Sequence, residues 1–198
     1  MLAALGLSAI VTEIIALVNR NIFNFGNFFS FFTILSNVLS VAMFALFGYG
    51  AITKRFTSLS AYVFKGAVTL YMLMTGMIFA VLLAPIENAV LTAVPWDNIV
   101  LHYIMPLAIC VDWILLQPKV TIKFSHSLMW LSFPATYVIY SLVRGHFVHW
   151  YPYPFLNASV NGYAKILTVI AVLLVVVTAG SQLIRITSGR FGKKLISS

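Results

Sequence analysis

Residues 28–49 read FFSFFTILSNVLSVAMFALFGY, a run of 22 residues that contains no Asp, Glu, Lys, Arg or His. Crossing the hydrocarbon core of a bilayer takes about 20 apolar residues in an α-helix, so this run predicts a membrane-spanning helix. Its polar members recur at intervals of three and four residues: Ser30, Thr33, Asn37 and Ser40. This spacing places them on one helical face, with Ser36 beside them, and predicts that the face is turned toward other helices.

Five further apolar runs of similar length lie between short polar segments, at residues 2–18, 61–84, 98–116, 127–143 and 164–186. Of the 198 residues, 62% are hydrophobic and 8% are charged, whereas a soluble domain contains about 25% charged residues. The sequence therefore predicts an all-α, polytopic membrane protein in which residues 1–198 form one domain of six transmembrane helices. The alternating pattern of membrane β-strands is absent from the sequence.

The basic residues predict how these helices are oriented, because cytoplasmic loops of membrane proteins carry an excess of Lys and Arg. An even number of spans puts both termini on one side, and that side holds eight basic residues: Lys54, Arg55, Lys119, Lys123, Arg185, Arg190, Lys193 and Lys194. The loops on the opposite side are flanked by Arg20 and Arg144. Both termini are therefore predicted to be cytoplasmic. The net charge of +8 is assigned to membrane orientation, and no nucleic-acid partner is predicted.

Ionisable and polar side chains inside membrane spans are costly, so each one marks a candidate functional position. Counting about 1.5 Å of rise per residue places Glu13, Thr33 and His102 in one layer, roughly 6–9 Å beneath the outer boundary. Lys65 and Asp112 lie at matching depth near the inner face. Because an unpaired charge at that depth is expensive, these two residues are predicted to form a structural ion pair.

The layer beneath the outer boundary contains the chemistry of a nucleophilic hydrolase. A threonine hydroxyl becomes a nucleophile when a base takes its proton, and histidine has a suitable pKa. A hydrogen-bonded Thr33–His102 pair can attack a lipid ester, with Asn37 or Ser36 as oxyanion donor and Glu13 as a supporting group. Glu13 and Asn98 are the two candidates for orienting the imidazole. The competing interpretation is structural, with small polar groups that let helices pack closely and a histidine that is satisfied by its neighbours.

Three segments of the sequence form a set of motifs: Phe31–Asn37, His102–Pro106 with Asp112-Trp113 downstream, and Tyr151–Asn157. They resemble the second-helix, fourth-helix and outer-loop motifs of the bacterial relatives of the androgen-induced and androgen-regulated membrane protein family. The resemblance implies a six-helix fold. From the animal members, it also implies intramembrane hydrolysis of fatty-acid esters of hydroxy fatty acids, with the nucleophile at Thr33 and the histidine at His102. It further implies a location in the bacterial cytoplasmic membrane.

The segment Tyr151–Phe155 has the sequence Tyr-Pro-Tyr-Pro-Phe, in which two prolines hold the backbone extended. Its aromatic side chains can form a structural cap over the helices or a lid over a lipid entrance. His146 and His149 lie just upstream without a convincing third ligand, so no metal site is predicted.

The partner that these observations imply is a membrane lipid or a lipid-like substrate. No cofactor is predicted, because the sequence has no Gly-rich nucleotide loop, dinucleotide fingerprint or zinc-protease motif. Two other functions stay open at this point: a small transporter or channel lined by the polar residues, and a non-enzymatic membrane scaffold. The sequence leaves the oligomeric state undetermined.

Overall fold

The computed structural model describes residues 1–54, 58–86, 92–118 and 120–189. All regular secondary structure in these ranges is helical, which confirms the predicted all-α class. The α-helices are α1 Leu2–Asn19, α2 Phe25–Phe28, α3 Phe32–Thr53, α4 Leu59–Ile78, α5 Pro95–Ile99, α6 Met105–Leu115, α7 Phe124–Met129, α8 Ser132–Val148 and α9 Ala158–Thr187.

Two π-helical turns extend these helices. Phe79–Leu83 continues α4, and Val100–Ile104 joins α5 to α6 in one helical stretch. The second π turn ends two residues before Pro106, which has no backbone N–H to donate and therefore disturbs the regular hydrogen-bond ladder around it. A short 3₁₀ turn at Pro154–Leu156 precedes α9.

Five helical stretches are long and apolar enough to cross a membrane: Leu2–Asn19, Phe32–Thr53, Leu59–Leu83, Pro95–Leu115 and Ala158–Thr187. Each one overlaps a predicted span, with ends that differ by up to six residues. The remaining predicted span, residues 127–143, falls on α7 and α8, which are separated by Trp130 and Leu131. Helix α8 has 17 residues, or roughly 26 Å at 1.5 Å per residue. A sixth span and the sides of the termini therefore stay predictions.

Part of the charge pattern behind the predicted orientation lies outside the described residues, namely Arg55, Lys119, Arg190, Lys193 and Lys194. The described basic residues of the same set are Lys54, Lys123 and Arg185. They lie at the end of α3, before α7 and near the end of α9.

Helix α3 begins four residues later than the predicted span. Residues 25–28 form the separate single turn α2, whose first backbone groups are capped by Asn24, since its side chain accepts a hydrogen bond from the Asn27 amide. The chain is then extended at Phe31 before α3 starts at Phe32. Ser30 therefore lies before the helix, and Thr33 occupies its first turn.

Helix α4 is the centre of the bundle and carries more buried residues than the other helices of the described chain. It packs against α3, α6 and α9, while α1 packs against α3 on the far side. One apolar cluster surrounds Tyr71 and Trp130, and a second surrounds Met72 and Met105. Helices α1 and α9 expose many large apolar side chains, as expected for surfaces that face lipid.

Lys65 of α4 and Asp112 of α6 form an ion pair, with 2.6 Å between Nζ and Oδ2. The Lys65 side chain is 2% exposed, and its ammonium group also donates to the carbonyl oxygen of Leu116 at 2.9 Å. The pair thus connects α4 to the end of α6. The structure brings together the two residues that the sequence assigned to this structural role.

Removal of one partner of this pair is expected to lower the free energy of unfolding by about 3–5 kcal/mol, because the other charge is then buried without compensation. We expect this loss in Lys65→Met and in Asp112→Leu, and recovery of most of it in the double variant. Denaturant titration in detergent measures the free energy of unfolding. The reactivity of the single cysteine, Cys110, reports the unfolded fraction. Lys165→Met, at an exposed position, is the control. Losses below 1 kcal/mol in both single variants contradict the assignment.

Candidate active site

Thr33 is placed by the start of helix α3. It is the second residue of the helix and is 6% exposed. The first backbone N–H groups of a helix have no acceptor within the helix, and the N-cap residue Phe31 supplies no side-chain acceptor here. The amide of Thr33 instead donates to the hydroxyl oxygen of Tyr153 at 3.1 Å. This hydrogen bond fixes the backbone of Thr33 in the first turn of α3, and with it the position of the threonine hydroxyl.

His102 lies in the π-helical turn between α5 and α6 and is 6% exposed. Its Nδ1 is 3.2 Å from the backbone carbonyl oxygen of Asn98, and its ring stacks on Phe79 with 4.2 Å between centroids. Because a carbonyl oxygen can only accept, Nδ1 carries the proton of the neutral ring. Nε2 is then an acceptor, and it lies 3.3 Å from the hydroxyl oxygen of Thr33.

Tyr153 completes a directed chain of hydrogen bonds. Its hydroxyl oxygen lies 3.2 Å from the hydroxyl oxygen of Thr33. Since the single hydroxyl proton of Thr33 is donated to His102, the proton between the two hydroxyls belongs to Tyr153. The resulting order of donation is Tyr153 to Thr33, Thr33 to His102, and His102 to the carbonyl of Asn98. This is the arrangement in which the imidazole is ready to take the threonine proton.

The loop that carries Tyr153 is fixed by aromatic packing. The Tyr153 ring stacks on Phe155, with centroids 5.2 Å apart, and meets Phe31 edge to face at 5.7 Å. Tyr151 lies directly against Gly145 of α8, where any added Cβ would clash with the tyrosine ring. Gly145 is therefore needed for the close approach of the loop. The Tyr-Pro-Tyr-Pro-Phe sequence predicts this rigid aromatic segment, but it carries no signal for the contact of the central tyrosine with Thr33.

Two cavities meet at Thr33. The larger, here called the polar cavity, has a volume of about 750 Å³, and its lining includes Glu13, Arg20 and His102. The second, here called the apolar cavity, has a volume of about 290 Å³ and lies among α3, α4, α8 and α9, where its lining is almost entirely hydrocarbon. Thr33, Tyr153 and Leu83 line both cavities.

The predicted oxyanion donors Asn37 and Ser36 lie outside both cavities, and their side chains form hydrogen bonds inside the bundle. The two N–H groups of Asn37 donate to the backbone carbonyls of Thr33 at 2.8 Å and Leu101 at 3.1 Å, so the amide has no donor left for an oxyanion. Ser36 is fully buried, bonds to the Thr33 carbonyl and to Thr75, and lines neither cavity. Asn37 supports the site in another way, because it ties α3 to the residue before His102.

Glu13 lines the polar cavity but does not orient the imidazole. Its two carboxylate oxygens accept hydrogen bonds from the backbone amide of Ala93, at 2.9 and 2.8 Å, and Asp97 lies beside it. Arg20 donates to the carbonyl of the same Ala93 at 2.6 Å. Glu13 and Arg20 thus fasten this backbone segment to α1. The carbonyl of Asn98, rather than a carboxylate, holds His102.

Where the chain is described, no three His, Cys, Asp or Glu side chains are placed to share a metal ion. No protein-family model, curated protein or solved structure matches this chain. The family resemblance noted in the sequence therefore stays a prediction. The fold and the site together define a helical membrane protein with a hydrogen-bonded Thr–His pair at the junction of two cavities.

Proposed function

We propose that this chain is an intramembrane hydrolase of lipid esters of the fatty-acid type, with Thr33 as nucleophile and His102 as general base. The observation that carries the proposal is the 3.3 Å hydrogen bond from the Thr33 hydroxyl to Nε2 of His102, at the meeting point of the two cavities. The substrate is a membrane lipid or a lipid-like ester.

The first half of the reaction transfers the acyl group to threonine. Nε2 of His102 takes the hydroxyl proton while Oγ1 of Thr33 forms a bond to the ester carbonyl carbon. The carbonyl of Asn98, 3.2 Å from Nδ1, stabilises the imidazolium that results. When the tetrahedral intermediate collapses, the alcohol oxygen leaves and takes the proton from Nε2.

The second half of the reaction needs water. A water molecule in the polar cavity gives a proton to His102 and attacks the acyl carbon, and the proton then passes to Oγ1 of Thr33 as the fatty acid leaves. The net reaction consumes one ester and one water and yields one acid and one alcohol. His102 faces the polar cavity, which supports the delivery of water to the base.

The two cavities suit an amphiphilic ester that carries a long chain. The hydrocarbon lining of the apolar cavity favours an acyl chain, and the charged and amide groups of the polar cavity favour the polar part and water. An ester bond at the boundary of these environments lies next to Thr33. The resemblance of the Thr33 and His102 segments to a family of intramembrane ester hydrolases agrees with this assignment.

The alternative of a transporter or channel has less support. Its path is lined by Lys65 and Asp112 together with Glu13 and the polar face of α3, but Lys65 and Asp112 pair with each other, and neither contributes to the polar or the apolar cavity. No observation on the described chain favours a scaffold over an enzyme.

In this proposal α8, together with α7, provides a sixth span, and both termini are cytoplasmic. The preceding helix α7 adds six residues to the 17 of α8, which compensates for a length slightly below the roughly 30 Å of a hydrocarbon core. The protein resides in the cytoplasmic membrane of a bacterium, as its sequence resemblance implies.

A long-chain alkyl fluorophosphonate tests the proposal on the purified protein in detergent. The reagent reacts with activated hydroxyl nucleophiles, so we expect one adduct, located by mass spectrometry on the peptide that contains Thr33. Thr69→Ala is the matched control, because Thr69 is a buried threonine of α4 outside both cavities, and it is expected to react as the parent does. An adduct on another residue, or no adduct, contradicts the proposal.

A further inference from the structure

We propose that Tyr153 is a further catalytic residue, whose hydroxyl donates a hydrogen bond to the oxyanion of the tetrahedral intermediate. This inference rests on the hydrolase function proposed above and deepens it. It assigns a chemical role to the proline-flanked aromatic segment, which the Thr33–His102 mechanism alone does not use.

The position of Tyr153 relative to the nucleophile is the first support. Its hydroxyl oxygen lies 3.2 Å from Oγ1 and 3.1 Å from the backbone nitrogen of Thr33. Tyr153 also lines both cavities, so an ester carbonyl that reaches Oγ1 comes within contact of the phenol. A donor to the oxyanion must lie near the oxygen that develops charge, and the described chain places this hydroxyl there.

The direction of the hydrogen bonds gives the second support. Before reaction, the phenol proton is donated to Oγ1 of Thr33. When Oγ1 bonds to the carbonyl carbon, its own proton goes to Nε2 of His102 and the carbonyl π electrons move to the carbonyl oxygen. Oγ1 becomes an ester-type oxygen and a weaker acceptor, whereas the new oxyanion beside it is a strong one. The phenol proton therefore turns to the oxyanion without leaving the tyrosine.

The cycle closes without net change at Tyr153. On collapse of the first intermediate the electron pair returns to form the acyl carbonyl, and the alcohol departs with the proton from His102. The deacylation step repeats the sequence with water as attacking group and Thr33 as leaving group, and the phenol donates to Oγ1 again once the threonine hydroxyl is restored. No oxidant, metal or further reactant is needed.

The surroundings of the Tyr153 hydroxyl favour its role as a hydrogen-bond donor. Burial raises the pKa of the Tyr153 hydroxyl, which keeps it protonated at neutral pH. Stacking on Phe155 and the edge contact with Phe31 fix the ring, so little reorganisation is needed during the reaction. The Asn37 amide has both donors occupied, whereas the Tyr153 hydroxyl lies 3.2 Å from Oγ1 of Thr33 and lines both cavities.

The test compares the second-order rate constants for reaction with the alkyl fluorophosphonate, whose phosphoryl oxygen becomes negatively charged as the adduct forms. We expect Tyr153→Phe to react about 100-fold more slowly than the parent, as for loss of one oxyanion donor. Tyr140→Phe is the matched control, since its hydroxyl lies 3.0 Å from Ser30 and outside both cavities. We expect this control to react at the parent rate.

Binding of the fatty-acid product is measured in the same variants and separates a loss of chemistry from a loss of folding. The phenylalanine ring of Tyr153→Phe preserves the aromatic packing. We expect Tyr153→Phe to bind the product as the parent does. Loss of product binding in this variant assigns Tyr153 a structural role and overturns the inference. A parent-like rate with the adduct on Thr33 also overturns it and leaves the hydrolase intact. A parent protein that forms no Thr33 adduct overturns the hydrolase proposal and the role of Tyr153 together.

Discussion

Replacement of Thr33 by alanine is expected to lower kcat for a long-chain ester by at least about 10³-fold. The reason is that Oγ1 is the atom that forms the acyl bond, and among the described residues no other hydroxyl hydrogen-bonds to Nε2 of His102. Removing it leaves the cavities in place, so substrate binding is retained while the covalent step is lost. Turnover of a fluorogenic ester in detergent micelles measures this effect.

Two variants make the Thr33 result interpretable. Thr33→Ser keeps a hydroxyl at the start of α3 and is expected to keep a large part of the activity. Thr69→Ala removes an equally buried hydroxyl, which bonds only to the Lys65 carbonyl, and is expected to match the parent in turnover. If Thr33→Ala hydrolyses the ester at a rate within tenfold of the parent, threonine is not the nucleophile.

His102→Gln is expected to lower kcat by about 10²–10⁴-fold, the range that general-base catalysis supplies. Glutamine fits the space and can still form hydrogen bonds, but it cannot take a proton at neutral pH. Because every proton transfer by the histidine serves acyl transfer to or from the threonine oxygen, the two losses do not add. The double variant Thr33→Ala with His102→Gln is therefore expected to be about as slow as the slower single variant.

The control for the histidine is His146→Gln, which changes an exposed histidine of α8 outside both cavities. We expect it to leave turnover unchanged. Rate losses that multiply in the double variant would show that Thr33 and His102 act independently, contrary to the mechanism.

The fold class and the shared depth of Thr33 and His102 could be predicted from the sequence because both depend on distance along a helix. Apolar runs of 17 to 24 residues require helices in a membrane, and a constant rise per residue converts sequence position into depth. The same count brought Lys65 and Asp112 to one level, where the structure has the ion pair. Depth alone does not say which helices are neighbours, so these contacts needed the structure.

The details that depend on backbone irregularity and on tertiary contacts could not be predicted. The break between α2 and α3 places Thr33 in the first turn of its helix, whereas a helix from residue 28 places it in the second turn, and the π turn at Val100–Ile104 positions His102. Tyr153 is 120 positions from Thr33, and its approach depends on how the loop packs against α8. Asn37 has the right chemistry for an oxyanion donor, but backbone carbonyls already occupy its amide.

The central claim is that the Thr33 hydroxyl carries the acyl group during turnover. The most direct measurement is an acid quench of a single turnover with a long-chain ester, followed by mass spectrometry of the digested protein. The mechanism predicts an acyl group on the peptide that contains Thr33, and its absence in Thr33→Ala. Ester cleavage by the parent with the acyl group on another side chain, or with no acyl-protein at any time, would contradict it.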